Sequence, residues 1–150
     1  MVDIENAALL VALFGHWPDF HDGEIQRLRV DASDHRDPAL EIDFKIAEKS
    51  AEVDERGYYK DRQRAYATLR FENVGSLRLE GVFNQNVLGE LRIEAAGPND
   101  FDEVLGADDP RARRRYRVDR SSAIGMAGSF ICDQVSVVRA EACAPLPNDR

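Results

Sequence analysis

Cysteine is nearly absent: Cys132 and Cys143 are the only two, and they form neither a CxxC pair nor a metal-ligand spacing. Without an export signal, two reduced thiols in the cytoplasm are the simplest reading. The N-terminus, Met1-Val2-Asp3-Ile4-Glu5, is acidic where a signal peptide is basic. Long apolar runs are missing as well. The stretch from Ala7 to Phe14 is far too short to span a bilayer, so no membrane partner is expected. Basic charge is in deficit, with 20 Lys and Arg against 28 Asp and Glu, a net charge of -8 and a pI near 4.9. A general nucleic-acid binder carries the opposite footprint, so nucleic acid is not an expected partner. The chain also lacks an HExxH helix, a GxSxG elbow, internal repeats, low-complexity tracts and domain linkers.

What is present is a 150-residue chain, 43% apolar and 32% charged. That composition suits one globular domain, residues 1–150, with a real core. Its charge is uneven. Arg111 to Arg120 holds six Arg and one Asp, a net of +5, which leaves -13 on the other 140 residues. A solvated edge strand, blunted by its charges, is the simplest reading of the Arg run. A phosphate-binding stripe lacks its aromatic ladder here.

In chain order, Asp3 is placed to cap a helix over Ile4 to Phe14, with Ile4, Ala7, Ala8, Val11 and Phe14 on one face. Gly15 supplies a left-handed stop and Pro18 prevents continuation. Ile25 to Val30 reads as a strand whose parity changes near Gln26-Arg27, the mark of a bulge. Leu40, Ile42, Phe44 and Ile46 alternate with charged residues as a half-buried strand. Glu48 to Arg62 reads as a charged mobile connector. Ala65, Ala67, Leu69 and Phe71 form the next inner face, and Asn73-Val74-Gly75 a turn.

Leu77, Leu79 and Phe83, then Gly89, Leu91, Ile93 and Ala95, supply two further inner faces. Gly97-Pro98-Asn99-Asp100 ends that strand, and Phe101, Val104 and Leu105 anchor one helical turn. Phe130, Cys132, Val135 and Val137 mark a late strand pair, or one bulged strand, before a frayed tail. Short turns between strands, with no helix long enough for repeated crossovers, predict an α+β fold. Its N-terminal helix packs on a curved, predominantly antiparallel sheet of meander type.

Chemistry concentrates in Gly15-His16-Trp17-Pro18-Asp19-Phe20-His21-Asp22-Gly23-Glu24, which holds the only Trp, two of the three His and three carboxylates. Imidazole and carboxylate at His16, Asp19, His21, Asp22 and Glu24 suit zinc or manganese. The simpler reading is a tight turn anchored by Trp17 and Phe20, in which Asp and His satisfy backbone donors. The second candidate is Phe83-Asn84-Gln85-Asn86-Val87. Its amides can read a ligand or partner backbone, or form a polar turn. Gly125-Met126-Ala127-Gly128-Ser129 reads as a hairpin turn rather than a phosphate loop, since no Lys or strand–loop–helix context follows. Ser121, Ser122 and Ser129 lack any sequence signal pairing them with His16 or His21, so no catalytic residue, metal ligand or cofactor is assigned.

The run Leu13-Phe14-Gly15-His16-Trp17-Pro18-Asp19-Phe20-His21-Asp22-Gly23-Glu24-Ile25 resembles the opening signature of the immunity protein 50 family of bacterial polymorphic toxin systems. The aromatic-Asn-Gln-Asn run at Phe83 to Asn86, preceded by Leu77-Arg78-Leu79-Glu80-Gly81, is similar too. Gly23 departs from the pattern, where Ala is expected. The resemblance implies a cytoplasmic, non-enzymatic protein that binds a cognate toxin. His16, Trp17, Asp19, His21, Asp22, Glu24, Asn84, Gln85 and Asn86 would be the motif positions available to that partner. Acidic charge would steer such a protein toward a basic toxin. The rival expectation is a metal- or small-ligand-binding protein, conceivably a hydrolase, using the cluster at 16–24.

Overall fold

The structure is a computed structural model that describes residues 2–82, 85–97, 109 and 113–143. Its elements are β1 (Ile4–Glu5), α1 (Ala8–Phe14), β2 (Glu24–Asp31), β3 (Ala39–Val53), β4 (Tyr59–Glu72), β5 (Gly75–Glu80), β6 (Val87–Ala95), β7 (Tyr116–Ile124), β8 (Ala127–Cys132) and β9 (Gln134–Ala142). Among the described residues, one helix accompanies a nine-stranded sheet in the order β1-β9-β4-β3-β2-β6-β7-β8-β5. The α+β expectation is therefore corrected to mainly β with a single helix. The meander expectation is corrected as well. Strands β2-β3-β4 and β6-β7-β8 are meanders, but β5 and β9 join by crossovers, and β1 runs parallel to β9.

The sheet curls until its two halves share a core. Phe71 of β4 and Phe130 of β8 stand five places apart in strand order, yet their rings meet edge to face at 4.8 Å. Leu40, Ile42, Phe44 and Ile46 are all buried and face Ala65, Ala67, Leu69 and Phe71 across the β3–β4 register. Period-2 alternation fixes that register, because a one-residue slip would send every apolar group to water. Each such burial contributes about 1.5–3 kcal/mol before entropy is subtracted. The bulge expected in β2 lies between Ile25 and Arg27.

Local expectations fail where tertiary pairing wins. The helix begins at Ala8, not Ile4, and has no side-chain cap. Ile4 is drawn into the sheet opposite Val135, and Asn6 turns the chain at φ 60°. The helix buries Leu10 and Phe14, while Val11 is exposed. Much of the presumed mobile connector is the end of a long hairpin, with β3 running to Val53 and β4 starting at Tyr59. Its turn is built by Asp54, whose Oδ1 accepts from the N–H of Arg56 and Tyr58 at 2.9 and 3.0 Å.

The Arg run does not form an edge: β7 lies between β6 and β8. Arg114 donates to the carbonyls of Asn73 and Val74 at 2.9 and 3.1 Å, and Arg115 to that of Asp133 at 3.0 Å. These arginines tie the β4–β5 and β8–β9 crossovers together. The late segment is two strands that do not pair with each other, because β8 joins β7 and β5 while β9 joins β4 and β1. Phe130, Cys132, Val135 and Val137 are buried as expected, whereas Leu79 is half-exposed. The expected turn at 98–100, the anchors Phe101, Val104 and Leu105, Phe83, and the tail after Ala144 lie outside the described residues.

Candidate functional site: the joint between two sequence motifs

The first motif starts where α1 stops. Gly15 adopts φ 84°, and its N–H closes the helix onto the Val11 carbonyl at 2.7 Å. That left-handed conformation is open to Gly without steric cost. Trp17 then packs on Phe20 at 5.6 Å between ring centroids, and Phe20 on Phe44 at 5.2 Å. Asp19 Oδ1 accepts from the His21 N–H at 2.8 Å, which shapes the turn. Gly23 closes it by donating to the Phe20 carbonyl at 2.9 Å. A Cβ on Gly23 would stand 2.8 Å from the Phe20 carbonyl oxygen and 3.1 Å from Ile46 Cγ2. The departure from Ala at this position is therefore matched by a close backbone approach.

The second motif meets the first at the narrowest point of the sheet. β2 and β6 share a single register pair, Glu24 with Val87. Backbone bonds extend the joint. Asp22 N–H reaches the Leu88 carbonyl at 2.9 Å, Leu88 N–H the Gly23 carbonyl at 2.8 Å, and Ile25 N–H the Asn86 carbonyl at 2.9 Å. Asn86 also reaches the other way, its Oδ1 accepting the Met126 N–H at 3.0 Å. The turn at Gly125-Met126 presses close: a Cβ on Gly125 would fall 2.5 Å from the Gln85 carbonyl oxygen. Two sequence-distant motifs and the β7–β8 hairpin thus form one joint, through which the two halves of the sheet are coupled.

The motif side chains divide by direction. Pro18, Phe20 and Gly23 are buried, and Trp17, Glu24 and Asn86 half-buried, so they serve the joint. His16, Asp19, His21, Asp22 and Gln85 face solvent. Asn84 lies outside the described residues. His16 Nδ1 lies 2.8 Å from the Trp17 carbonyl, and its Nε2 3.1 Å from the Glu48 carboxylate. His21 Nδ1 lies 3.2 Å from Asp22 Oδ2 on open surface, where such a pair is worth little. The two imidazoles thus turn to different carboxylates. Among the described residues, no group of three or more His, Cys, Asp or Glu is placed to hold a metal ion.

Beside the joint is a residue that sequence reasoning assigned to an edge. Arg120 is 2% exposed. Its Nη1 contacts Met126 Sδ at 3.6 Å, and its Nε and Nη2 have no hydrogen-bond partner among the described residues. Burial alone lowers its pKa well below the ordinary arginine value, to about 10. The signal was present in the alternation Tyr116, Val118, Arg120, which places all three on the inner face.

The outer face of β2-β3-β4-β9 carries a different network. Asp43 accepts from Arg29 at 2.8 and 3.0 Å and from the Thr68 hydroxyl at 2.7 Å. The Arg29 hydrogen bond holds the Asp43 carboxyl below its ordinary range, against the opposing effect of burial. A depression of about 310 Å³ beside it is lined by Gln26, Arg27, Asp43, Tyr66 and Arg139, among others. No helix of the described residues is long and apolar enough to cross a membrane.

Neither the curated proteins nor the solved structures contain a match to this chain. The family profile described as Immunity protein 50 matches residues 6–142, a span that includes both motifs, the joint and every strand from β2 to β9. The chain belongs to the immunity protein 50 family.

Proposed function

We propose that this protein neutralises a cognate toxin of a polymorphic toxin system by stoichiometric association in the cytoplasm, without catalysis. Family membership over residues 6–142 carries the reading, since an immunity protein implies a toxin as protein partner. The binding unit is taken as the whole chain, residues 1–150. Its net charge of -8 would speed encounter with a basic toxin. Within the joint, the outward groups His16, Asp19, His21, Asp22 and Gln85 are the ones free to contact the partner, and Trp17, Glu24 and Asn86 act by holding them in place. Asn84 completes the candidate set from its place in the motif.

Coexpression with the toxin encoded beside it tests the reading. Growth should be restored by the intact protein, and purified toxin and protein should elute together in equimolar ratio. A toxin that kills regardless, or that never co-elutes, sinks it. Asp22→Asn, on open surface, should slow association at low salt while leaving the melting temperature unchanged.

A further inference from the structure

Among the described residues, Arg120 is a buried cation with two guanidinium nitrogens that lack a hydrogen-bond partner. Its guanidinium carries five N–H donors and no means of shedding its charge at neutral pH. Among the described residues, the one hydrogen bond it makes is to a thioether. Met126 Sδ is a poor acceptor. A Cβ on Gly128 would crowd the Arg78 carbonyl oxygen and sit 2.6 Å from Nη2 and 3.0 Å from Leu79 Cδ2, so the missing side chain makes room for both the neighbouring strand and the fork. A buried cation in such a place is normally paired. A buried polar group left unpaired in a native fold calls for a cause.

The position of the group supplies that cause. Arg120 lies under the Gly125-Met126 turn that Asn86 holds. Gly81, at the end of β5, packs against the same turn: a Cβ there would stand 3.0 Å from the Gly125 carbonyl oxygen. The next residue, Val82, is 65% exposed, and Leu79 is 38% exposed. Leu79, which neighbours the guanidinium at Gly128, is thus part-open to solvent on a segment that carries a second exposed apolar group. Arginine beside exposed apolar groups is the composition of a protein-interface hot spot.

We infer that Arg120 is the receptor for a carboxylate side chain of the toxin, which enters between Leu79 and Met126 and replaces the thioether contact with a two-point charge-assisted pair. This rests on the immunity reading and names the contact within it. The site is opposite in sign to the acidic exterior. The exterior would bring the partner in, and the buried cation would then hold one of its acids. Met126 suits the gate, since an unbranched thioether repacks at little cost. The planar fork suits the carboxylate because two parallel N–H groups match its two oxygens.

Titration calorimetry with the toxin domain encoded beside the gene tests this, comparing wild type with Arg120→Met and Arg120→Lys. The lysine variant keeps charge but loses the fork, and it serves as the second variant if methionine does not fold. The expectation is a loss of at least about thirtyfold in affinity for methionine, expressed in the off-rate, with partial recovery for lysine. One Asp→Asn or Glu→Gln change in the toxin should cost a similar factor, and should cost nothing further in the methionine background. Wild-type binding that methionine leaves within about threefold overturns the inference and spares the immunity reading. Failure of the wild type to bind overturns both. If no toxin carboxylate couples to Arg120, or if millimolar phosphate protects wild type but not Arg120→Met from heat without change in toxin affinity, the anion is not the partner's and the inference is wrong.

Discussion

Replacing Arg120 by Met should make the free protein more stable. The substitution keeps an unbranched stem of similar length and removes a charge that burial alone opposes. Lowering the guanidinium pKa from its ordinary value to about 10 corresponds to a cost of about 3 kcal/mol, at 1.36 kcal/mol for each tenfold change. Methionine leaves a small void where the fork was, which offsets part of the gain. A net stabilisation of about 1–3 kcal/mol remains, within the range seen when buried charges are replaced by apolar groups. For a chain of this size that raises the melting temperature by about 2–12 °C.

The assay is urea unfolding of both proteins at pH 7, requiring equal slopes and comparing midpoints. The pH dependence gives a second check. The folded pKa lies below the unfolded one, so the unfolded state binds this proton more tightly. The penalty on the wild type is complete below about pH 10 and fades as pH rises from about 10 toward the ordinary arginine value. The gap between variant and wild type should therefore be constant from neutral pH to about 9 and close above it. A methionine variant less stable than wild type by more than about 1 kcal/mol would show that the guanidinium is compensated in the free protein, and the reasoning would fail.

Three further outcomes follow from the joint and the outer face. Gly23→Ala forces a methyl to 2.8 Å from the Phe20 carbonyl oxygen, so it should cost about 1–3 kcal/mol in thermal or urea unfolding. Asn86→Ala removes the acceptor of the Met126 N–H and should cost about 1–3 kcal/mol, with faster hydrogen exchange at Met126 than at Val118. Asp43→Asn should be destabilising above pH 5, where the carboxylate of the wild type is ionised in both states. The folded pKa is depressed, so the advantage of the wild type is lost as pH falls from the ordinary value near 3.8 through that lower one. A difference that persists unchanged at pH 2 would contradict this assignment.

Strands with clean alternation were legible from the residues alone. Leu40 to Ile46 and Ala65 to Phe71 needed no tertiary information, because period 2 and a turn fix both pairing and face. The bulge after Ile25 was legible for the same reason, as a break in that period. What failed was decided by partners distant in sequence. Ile4 has helical spacing to Ala8 and Val11, yet pairs with Val135. The Arg run has the composition of an edge, but Gly75 leaves space for Arg114. A Cβ at Gly75 would meet that guanidinium, and the side chain instead bonds the Asn73 and Val74 carbonyls. Charge density along the chain does not reveal carbonyls brought in by a crossover.

The same distinction bears on how the family signature is understood. His16 to Glu24 stands out by composition as a cluster of imidazoles and carboxylates, which invites a reaction centre. In space, the groups that reach the second motif are backbone ones, from Asp22, Gly23 and Ile25 to Asn86 and Leu88. A carboxylate at Asp22 is not needed for those bonds, and its side chain faces solvent. Chain geometry alone would therefore tolerate Asn at 22, which also accepts φ 63°. Glycine at 23, where this chain departs from the signature, is matched by the close Phe20 carbonyl, and aromatic groups at 17 and 20 are explained by the stack onto Phe44. The inward half of the signature is thus explained by folding. Any pressure specific to the partner acts on the outward half: Asn at 22 should leave unfolding unchanged and alter only the encounter with the toxin. If Asp22→Asn instead weakened the fold as much as Phe20→Ala, a change expected to cost about 3–5 kcal/mol, the division between scaffold and contact surface would be wrong.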